Sequence, residues 1–296
     1  LRLLFLFWLP ICLQAQNTQI PLAGARGAAM GGSGVVFTDI NSAFSNQAGL
    51  AQLDQLGAMI FAERRFIASP IDNIAAAFAY PSGFGTLGIS INSFGTENYQ
   101  EQKIGLIYAR KLLEGLSIGA QFDYFNVNIP VYGNKGVVTF ELGLQAQLLK
   151  NLEFGFHLYS PTRIEITDDT ILPSIYKAGI AYTPSSKLLL TAEVEKDIDY
   201  PVRFRGGMEY CFSDMFFLRA GLATQPTLVS LGVGLQLKSA LMIDVAASYH
   251  QVLGTSPSIG VAYLFKSRCM SLRVRYFLLK GIIHILLLVL SFKLLI

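Results

Sequence analysis

Val138-Thr139-Phe140-Glu141-Leu142-Gly143-Leu144-Gln145-Ala146-Gln147-Leu148 alternates, without a break, between apolar residues and polar or small ones. On an extended chain successive side chains point to opposite faces, so this stretch has one apolar face and one face of Thr, Glu, Gly and Gln. The pattern returns at residues 229–237, where Val229, Leu231, Val233, Leu235 and Leu237 interleave with Ser230, Gly232, Gly234 and Gln236. It returns again where Leu241, Ile243, Val245, Ala247 and Tyr249 interleave with Asp244, Ala246 and Ser248. The many small residues on the polar side suit a crowded interior.

Working outward from these stretches, the alternation predicts fourteen strands, at 56–66, 71–80, 85–94, 102–111, 115–128, 136–148, 151–160, 173–183, 186–195, 201–212, 214–222, 228–238, 240–250 and 257–265. Most have about ten residues, the length a tilted strand needs to cross a bilayer. An even number is expected of a single-chain bacterial barrel. Connections after even-numbered strands are short, such as Leu149-Lys150 and Pro184-Ser185, whereas those after odd-numbered strands are longer, as at 95–101, 129–135 and 161–172. Outer-membrane barrels have short periplasmic turns and longer outer loops, an alternation that a soluble sandwich has no reason to show. The expected fold is therefore all-β: a transmembrane antiparallel up-and-down barrel of fourteen strands over residues 56–265, in the bacterial outer membrane, with periplasmic termini.

Composition agrees. Of 296 residues 52% are hydrophobic and only 15% charged, with 27 Gly. Because no long apolar run interrupts residues 20–265, the hydrophobicity must be spread thinly, as alternating strands spread it. A net charge of +3 without an internal Lys/Arg cluster gives no case for nucleic acid as a partner. At the N-terminus, Arg2 followed by an apolar run and a small-residue site at Leu13 and Ala15 reads as a signal peptide over residues 1–15. At the other end, residues 266–296 bring Arg268, Arg273, Arg275 and Lys280 and then an apolar run, an order that resembles a second signal-like or fused segment.

Between the signal peptide and the first strand, residues 16–55 are rich in Gly, Ala, Ser and Asn and keep no strand period. Gly24-Ala25-Arg26-Gly27-Ala28-Ala29-Met30-Gly31-Gly32-Ser33-Gly34-Val35, then Asp39 and Asn46-Gln47-Ala48-Gly49-Leu50-Ala51, resemble the FadL-type outer-membrane superfamily and, more closely, its PorV/PorQ-like branch in Bacteroidetes. The resemblance implies an N-terminal hatch inside the barrel, with Gly31, Gly32, Gly34, Asn46, Gln47, Ala48 and Gly49 as its motif residues; Gln47 stands where the superfamily has Pro. It implies one of two roles. The first is an accessory barrel of type IX protein secretion or surface attachment, with secretion-system proteins as partners. The second is a channel for a hydrophobic ligand. Short outer loops favour the accessory role. Outer-membrane lipid surrounds the barrel in either case.

Catalytic chemistry is not what these residues suggest. Gly83-Phe84-Gly85-Thr86-Leu87-Gly88 has the spelling of a dinucleotide fingerprint, but Ile89-Ser90-Ile91-Asn92 follows as a strand where a helix is required. Ser248 with His250 is the one pair near a strand end that a lipid hydrolase could use, and a rim histidine is the blander reading. Cys12, Cys211 and Cys269 form no disulfide framework or zinc spacing, and no cofactor or metal set is read.

Charges on the polar faces are more informative: Asp123, Glu141, Glu153, Glu193, Glu195, Arg203, Arg205, Glu209, Arg219 and Asp244. A cation facing lipid at the midplane costs roughly 2–4 kcal/mol, so these should face the lumen. There they would form a salt-bridge network that holds wall and hatch, or a selectivity ring. A hairpin centred on Asp199 places Glu195 opposite Arg203 and Glu193 opposite Arg205 in the lumen, with Val194 opposite Phe204 and Leu190 opposite Met208 toward lipid.

Overall fold

The computed structural model describes residues 24–67, 71–130, 133–167, 170–237 and 240–265. The expected signal peptide at 1–15 and the basic, apolar tail at 266–296 lie outside the described residues, as do Cys12 and Cys269.

Among the described residues sixteen strands follow one another: β1 Leu56–Arg65, β2 Ile71–Ser82, β3 Gly85–Gly95, β4 Gln100–Leu113, β5 Leu116–Ile129, β6 Gly133–Leu149, β7 Leu152–Tyr159, β8 Glu165–Thr167, β9 Thr170–Ile171, β10 Ile175–Ser185, β11 Leu188–Asp197, β12 Arg203–Ser213, β13 Phe216–Ala223, β14 Leu228–Leu237, β15 Leu241–His250 and β16 Gly254–Phe265. Fourteen of them close into one antiparallel barrel in which each strand pairs with the barrel strands before and after it, β7 with β10 and β1 with β16 included, and β8–β9 form a small separate hairpin. Closure runs from Leu56↔Phe265 to Glu63↔Ser258 between β1 and β16. No barrel strand is left with an unpaired edge, as a hydrocarbon environment requires.

Alternation sets the facing. Leu106, Phe122, Val138 and Leu231 point outward and are each more than 60% exposed. The alternate residues of the same strands, among them Lys103, Gln121, Asp123, Thr139, Glu141 and Ser230, are buried in the lumen. A wall that shows large apolar side chains outward and keeps its charges inside is a membrane wall. The expected hairpin register holds residue by residue: Glu195↔Arg203, Val194↔Phe204, Glu193↔Arg205 and Leu190↔Met208.

One end of the barrel has tight turns and the other longer loops. Register shifts at Lys111/Leu113, Gln147/Leu149, Tyr182/Ser185 and Cys211/Ser213 all fall at the turn end, where an extra residue helps a strand to bend into its turn. Three expectations need correction. β6 starts at Gly133, not residue 136, because β5 and β6 pair out to Ile129↔Gly133, which shortens the connection expected at 129–135. The last strand starts at Gly254, not residue 257, because β15 and β16 pair out to His250↔Gly254. The connection at 161–172 is no plain loop: it carries β8 and β9, whose few residues are too short to show a period.

Residues 24–53 lie inside the barrel. They form helix α1 Gly24–Ala29 and two 3-10 turns, Ile40–Phe44 and Gln47–Gln52. The turns begin where Asp39 and Asn46 accept the amides of Asn41 and Ala48, so each short polar side chain satisfies a donor that the turn itself leaves free. The helix lies against β13–β16 and β1, and the second turn against β4–β6.

Candidate functional site

What residues 24–53 touch differs from one side of the barrel to the other. On β5, β6, β7, β12 and β13 the segment approaches the wall at Gly119, Gly143, Gly155, Gly207 and Gly221. A Cβ at Gly143 would strike the Asn46 side chain, and one at Gly221 would strike the backbone of Met30 and Gly31, nearer than carbon atoms pack. Only glycine lets the two backbones come this close. Gly31 itself fits against the Leu222 backbone in a left-handed conformation, φ +69°.

The same side is hydrogen-bonded throughout. Arg26 donates to both oxygens of Glu209, at 2.8 and 2.6 Å, and to Asp39 at 2.5 Å. Glu209 also accepts from Arg219 at 2.6 Å, and Arg219 reaches Asp244 at 2.5 Å. Carboxylate and guanidinium thus alternate in an unbroken chain, Asp39–Arg26–Glu209–Arg219–Asp244. The amides of Gly34 and Val35 donate to one oxygen of Glu193, at 2.8 and 2.9 Å. Asn46 Nδ2 donates to the carbonyls of Val35 and Leu144, so it ties the segment to itself and to β6.

Gln47 is the hub of a second network. Its Nε2 donates to Glu141 at 2.6 Å and to Gln121 at 3.2 Å. Glu141 also accepts from Lys103 at 2.5 Å and lies 2.9 Å from His157 Nε2. Glu141 and His157 are almost wholly inaccessible. Breaking one member of a buried charge network of this kind costs about 3–5 kcal/mol, because its partner is left uncompensated. Proline at position 47 could make none of these bonds.

On β1–β4 the contact changes character. Ile40, Phe44 and Leu50 of the segment pack on Met59, Phe61, Ala75, Ala77, Ala79, Ile107 and Ala109 of the wall, an apolar cluster inside the lumen. The three alanines of β2 come from the run Ala75-Ala76-Ala77-Phe78-Ala79 and give this stretch of wall a shallow surface.

Two cavities lie on either side of the segment. One, of about 140 Å³, opens at the loop end and is lined by Gly31, Gly32 and Gly34 together with charged residues of β10–β12 and β1. The other, of about 490 Å³, lies at the turn end between Thr38 and Gln52 of the segment and Lys111, Glu114, Gln145 and Glu153 of the wall. Over part of the loop-end mouth the β8–β9 hairpin folds down, with Ile166 and Leu172 buried against Phe125, Tyr159 and Ile175.

Glu193, Glu195, Arg203 and Arg205 meet as one cluster instead of two separate rungs. Arg205 reaches across to Glu195 at 2.7 Å, Arg203 shares that carboxylate at 3.0 Å, and Lys177 approaches it at 3.7 Å. Arg26, Lys103, His157 and Lys177, which complete the networks, were not among the charges expected to face the lumen. All but Arg26 sit at inward positions of their strands, where the alternation marks them. Ser248 and His250 do not come together as a nucleophile and base. Ser248 bonds with Ser230, and His250 Nδ1 accepts the amides of Val252 and Leu253.

No protein-family model matches the chain, and no curated protein matches it in sequence. Among solved structures it is similar to the toluene transporter TbuX of Ralstonia pickettii, with TM-score 0.65 and 14% identity over 82% of this chain and 98% of that one. The CymD monoaromatic hydrocarbon channel aligns with TM-score 0.70 and 14% identity, over 84% and 99% of the two chains. A FadL homologue of Pseudomonas aeruginosa aligns with TM-score 0.63 and 14% identity, over 83% and 99%. At this identity the likeness is one of fold alone: the chain shares the barrel architecture of these transporters and channels.

Proposed function

We propose that the protein is a bacterial outer-membrane channel for small hydrophobic molecules, with residues 24–53 as its hatch and the apolar seam in the turn-end part of β1–β4 as part of its path. The observation that carries this reading is the asymmetry of the seat. Toward β5–β14 the segment is held mainly by close backbone contact and charged hydrogen bonds, with smaller apolar contacts of Val35, Val36, Met30 and Phe37 on Ala181 and Leu189, whereas toward β1–β4 it is held by Ile40, Phe44 and Leu50 on alanines, Met59 and Phe61. Apolar contact is non-directional and roughly proportional to area. An apolar solute entering the seam therefore replaces like with like, while one entering the polar side leaves buried charges unpaired. The fold shared with hydrocarbon transporters supports the same choice.

The test is uptake of an apolar fluorescent probe, N-phenyl-1-naphthylamine, by intact cells that display the protein. Expression is expected to speed uptake, and Ala77→Phe, which fills the seam, to abolish the gain while heat-modifiable migration persists. Equal uptake with and without the protein would overturn the reading.

A second reading, a PorV/PorQ-like accessory barrel for type IX secretion or surface attachment, is favoured by the charged lock that keeps the lumen filled. Its partners would dock outside the lumen, and co-purification of secretion-system proteins from detergent extracts would select it.

A further inference from the structure

We propose that an apolar solute leaves the β1–β4 seam through the turn-end cavity and that Gln52 is the gate between the two, an inference that rests on the channel reading. A solute in the seam has two ways onward: between wall strands into lipid, or along the lumen past the end of the segment. The wall is closed beside the seam. β1 pairs with β2 from Gly57↔Ala79 to Arg65↔Ile71, β2 with β3 from Asp72↔Gly95 to Ser82↔Gly85, and β3 with β4 from Thr86↔Ala109 to Gly95↔Gln100, each without a register shift. Strands so paired lie about 4.8 Å apart, with hydrogen bonds across the gap. A ring could pass only by breaking several of these bonds in hydrocarbon, where no water replaces them.

Along the lumen the seam runs on into the cavity. Ala109 of β4 and Leu50 of the segment belong to the apolar cluster, and Lys111 and Gln52, each two residues further on, line the cavity. Lys111 follows Ala109 on the same face of β4. Little stands between seam and cavity: Gln52 Nε2 donates to Ser117 Oγ at 3.2 Å, and Ser117 lies on β5 opposite Lys111. A neutral bond of this length is of the weaker kind. Gln52 is half-buried and ends its 3-10 turn, and the chain is extended from Leu53. The other end of the same turn is fixed, because Gln47 donates to Glu141 and Gln121. The Gln52 side chain can therefore swing aside while the segment keeps its seat.

The cavity suits release more than retention. Its volume of about 490 Å³ admits a small molecule, within the range of about 300–1,000 Å³ of ligand sites. Its lining includes the exposed side chains of Lys111, Glu114 and Gln147. Exposed charges keep their water and offer an apolar solute no surface to bury against, so the solute passes on to the water at the turn end.

The test traps the solute on its way. Gln147→Cys puts a thiol on the cavity lining, away from the apolar cluster and from Gln52. Intact cells displaying this variant are given N-phenylmaleimide, an apolar ring that a thiol captures by adding across its double bond, and the adduct at position 147 is read by peptide mass. Ala77→Phe in the same chain is expected to slow adduct formation about tenfold, and Gln52→Ala to speed it about threefold, with heat-modifiable migration kept in both. Should Gln52→Ala not assemble, Ser117→Ala removes the same hydrogen bond and the same rise is expected. Adduct formation untouched by Ala77→Phe would mean that the probe reaches the cavity by another way. That result, a cavity thiol left unmodified, or no rise on removing the hydrogen bond would each overturn the proposal. The channel reading fails separately, by equal uptake of N-phenyl-1-naphthylamine with and without the protein.

Discussion

Single side chains decide whether residues 24–53 can lie in the lumen at all. Gly221 touches the segment's backbone, whereas Gly206, one strand away on β12, meets nothing nearer than a carbonyl at 3.8 Å. Gly221→Ala is therefore expected to destabilise the folded barrel by about 1–3 kcal/mol through overpacking. Gly206→Ala should stay within about 0.5 kcal/mol. Urea titration of both variants in lipid vesicles measures this, and equal midpoints would mean that the segment is not seated on the wall. Glu141 offers a second test. Glu141→Gln leaves Lys103 buried beside a neutral partner and should cost about 3–5 kcal/mol, and Lys103→Met in the same chain should restore part of it. Additive losses in the double variant would show that the two charges are not coupled. At this scale the sequence was half legible. Glu141, Glu193 and Glu209 stood out as charges on alternating strands. Their partners Arg26 and Gln47 lie in a segment without periodicity, where nothing local reveals which way a side chain turns.

Among the elements, those with a long period were readable and those without were not. The β11–β12 register followed from requiring four charges to avoid lipid, and burial enforces it, since a one-residue slip would turn Glu193 and Glu195 outward. By contrast β8 and β9 have three and two residues, and what places them is the burial of Ile166 and Leu172, a tertiary event. This hairpin is expected to depend on that burial more than on the exposed Arg163–Asp199 pair at 3.1 Å. Leu172→Ala should cost about 2–5 kcal/mol locally and open residues 161–173 to protease. Arg163→Ala, which removes an exposed ion pair, should cost no more than about 1 kcal/mol and leave cleavage unchanged. Limited proteolysis of the two variants from the loop end checks this; faster cleavage of Arg163→Ala than of Leu172→Ala would reverse the assignment.

In the whole molecule, strand count, closure and outward facing were all legible, because a bilayer admits one all-β solution and that solution leaves its alternation in every strand. The division of the segment's contacts into a hydrogen-bonded side and an apolar side was not. It arises only when Ile40, Phe44 and Leu50 are brought against the alanines of β2, far away in sequence. On this division rests the central claim, that the segment is fixed toward β5–β14 and free to yield toward β1–β4. Hydrogen exchange of the folded barrel in lipid, read peptide by peptide across residues 24–53, tests it most directly. Amides at Gly34, Val35 and Ala48, which donate to Glu193 and Asn46, should be protected as well as the wall strands. Residues 40–44 should exchange measurably faster, and faster still when toluene is added. Uniform protection across the segment, or fastest exchange at Gly34 and Val35, would contradict it.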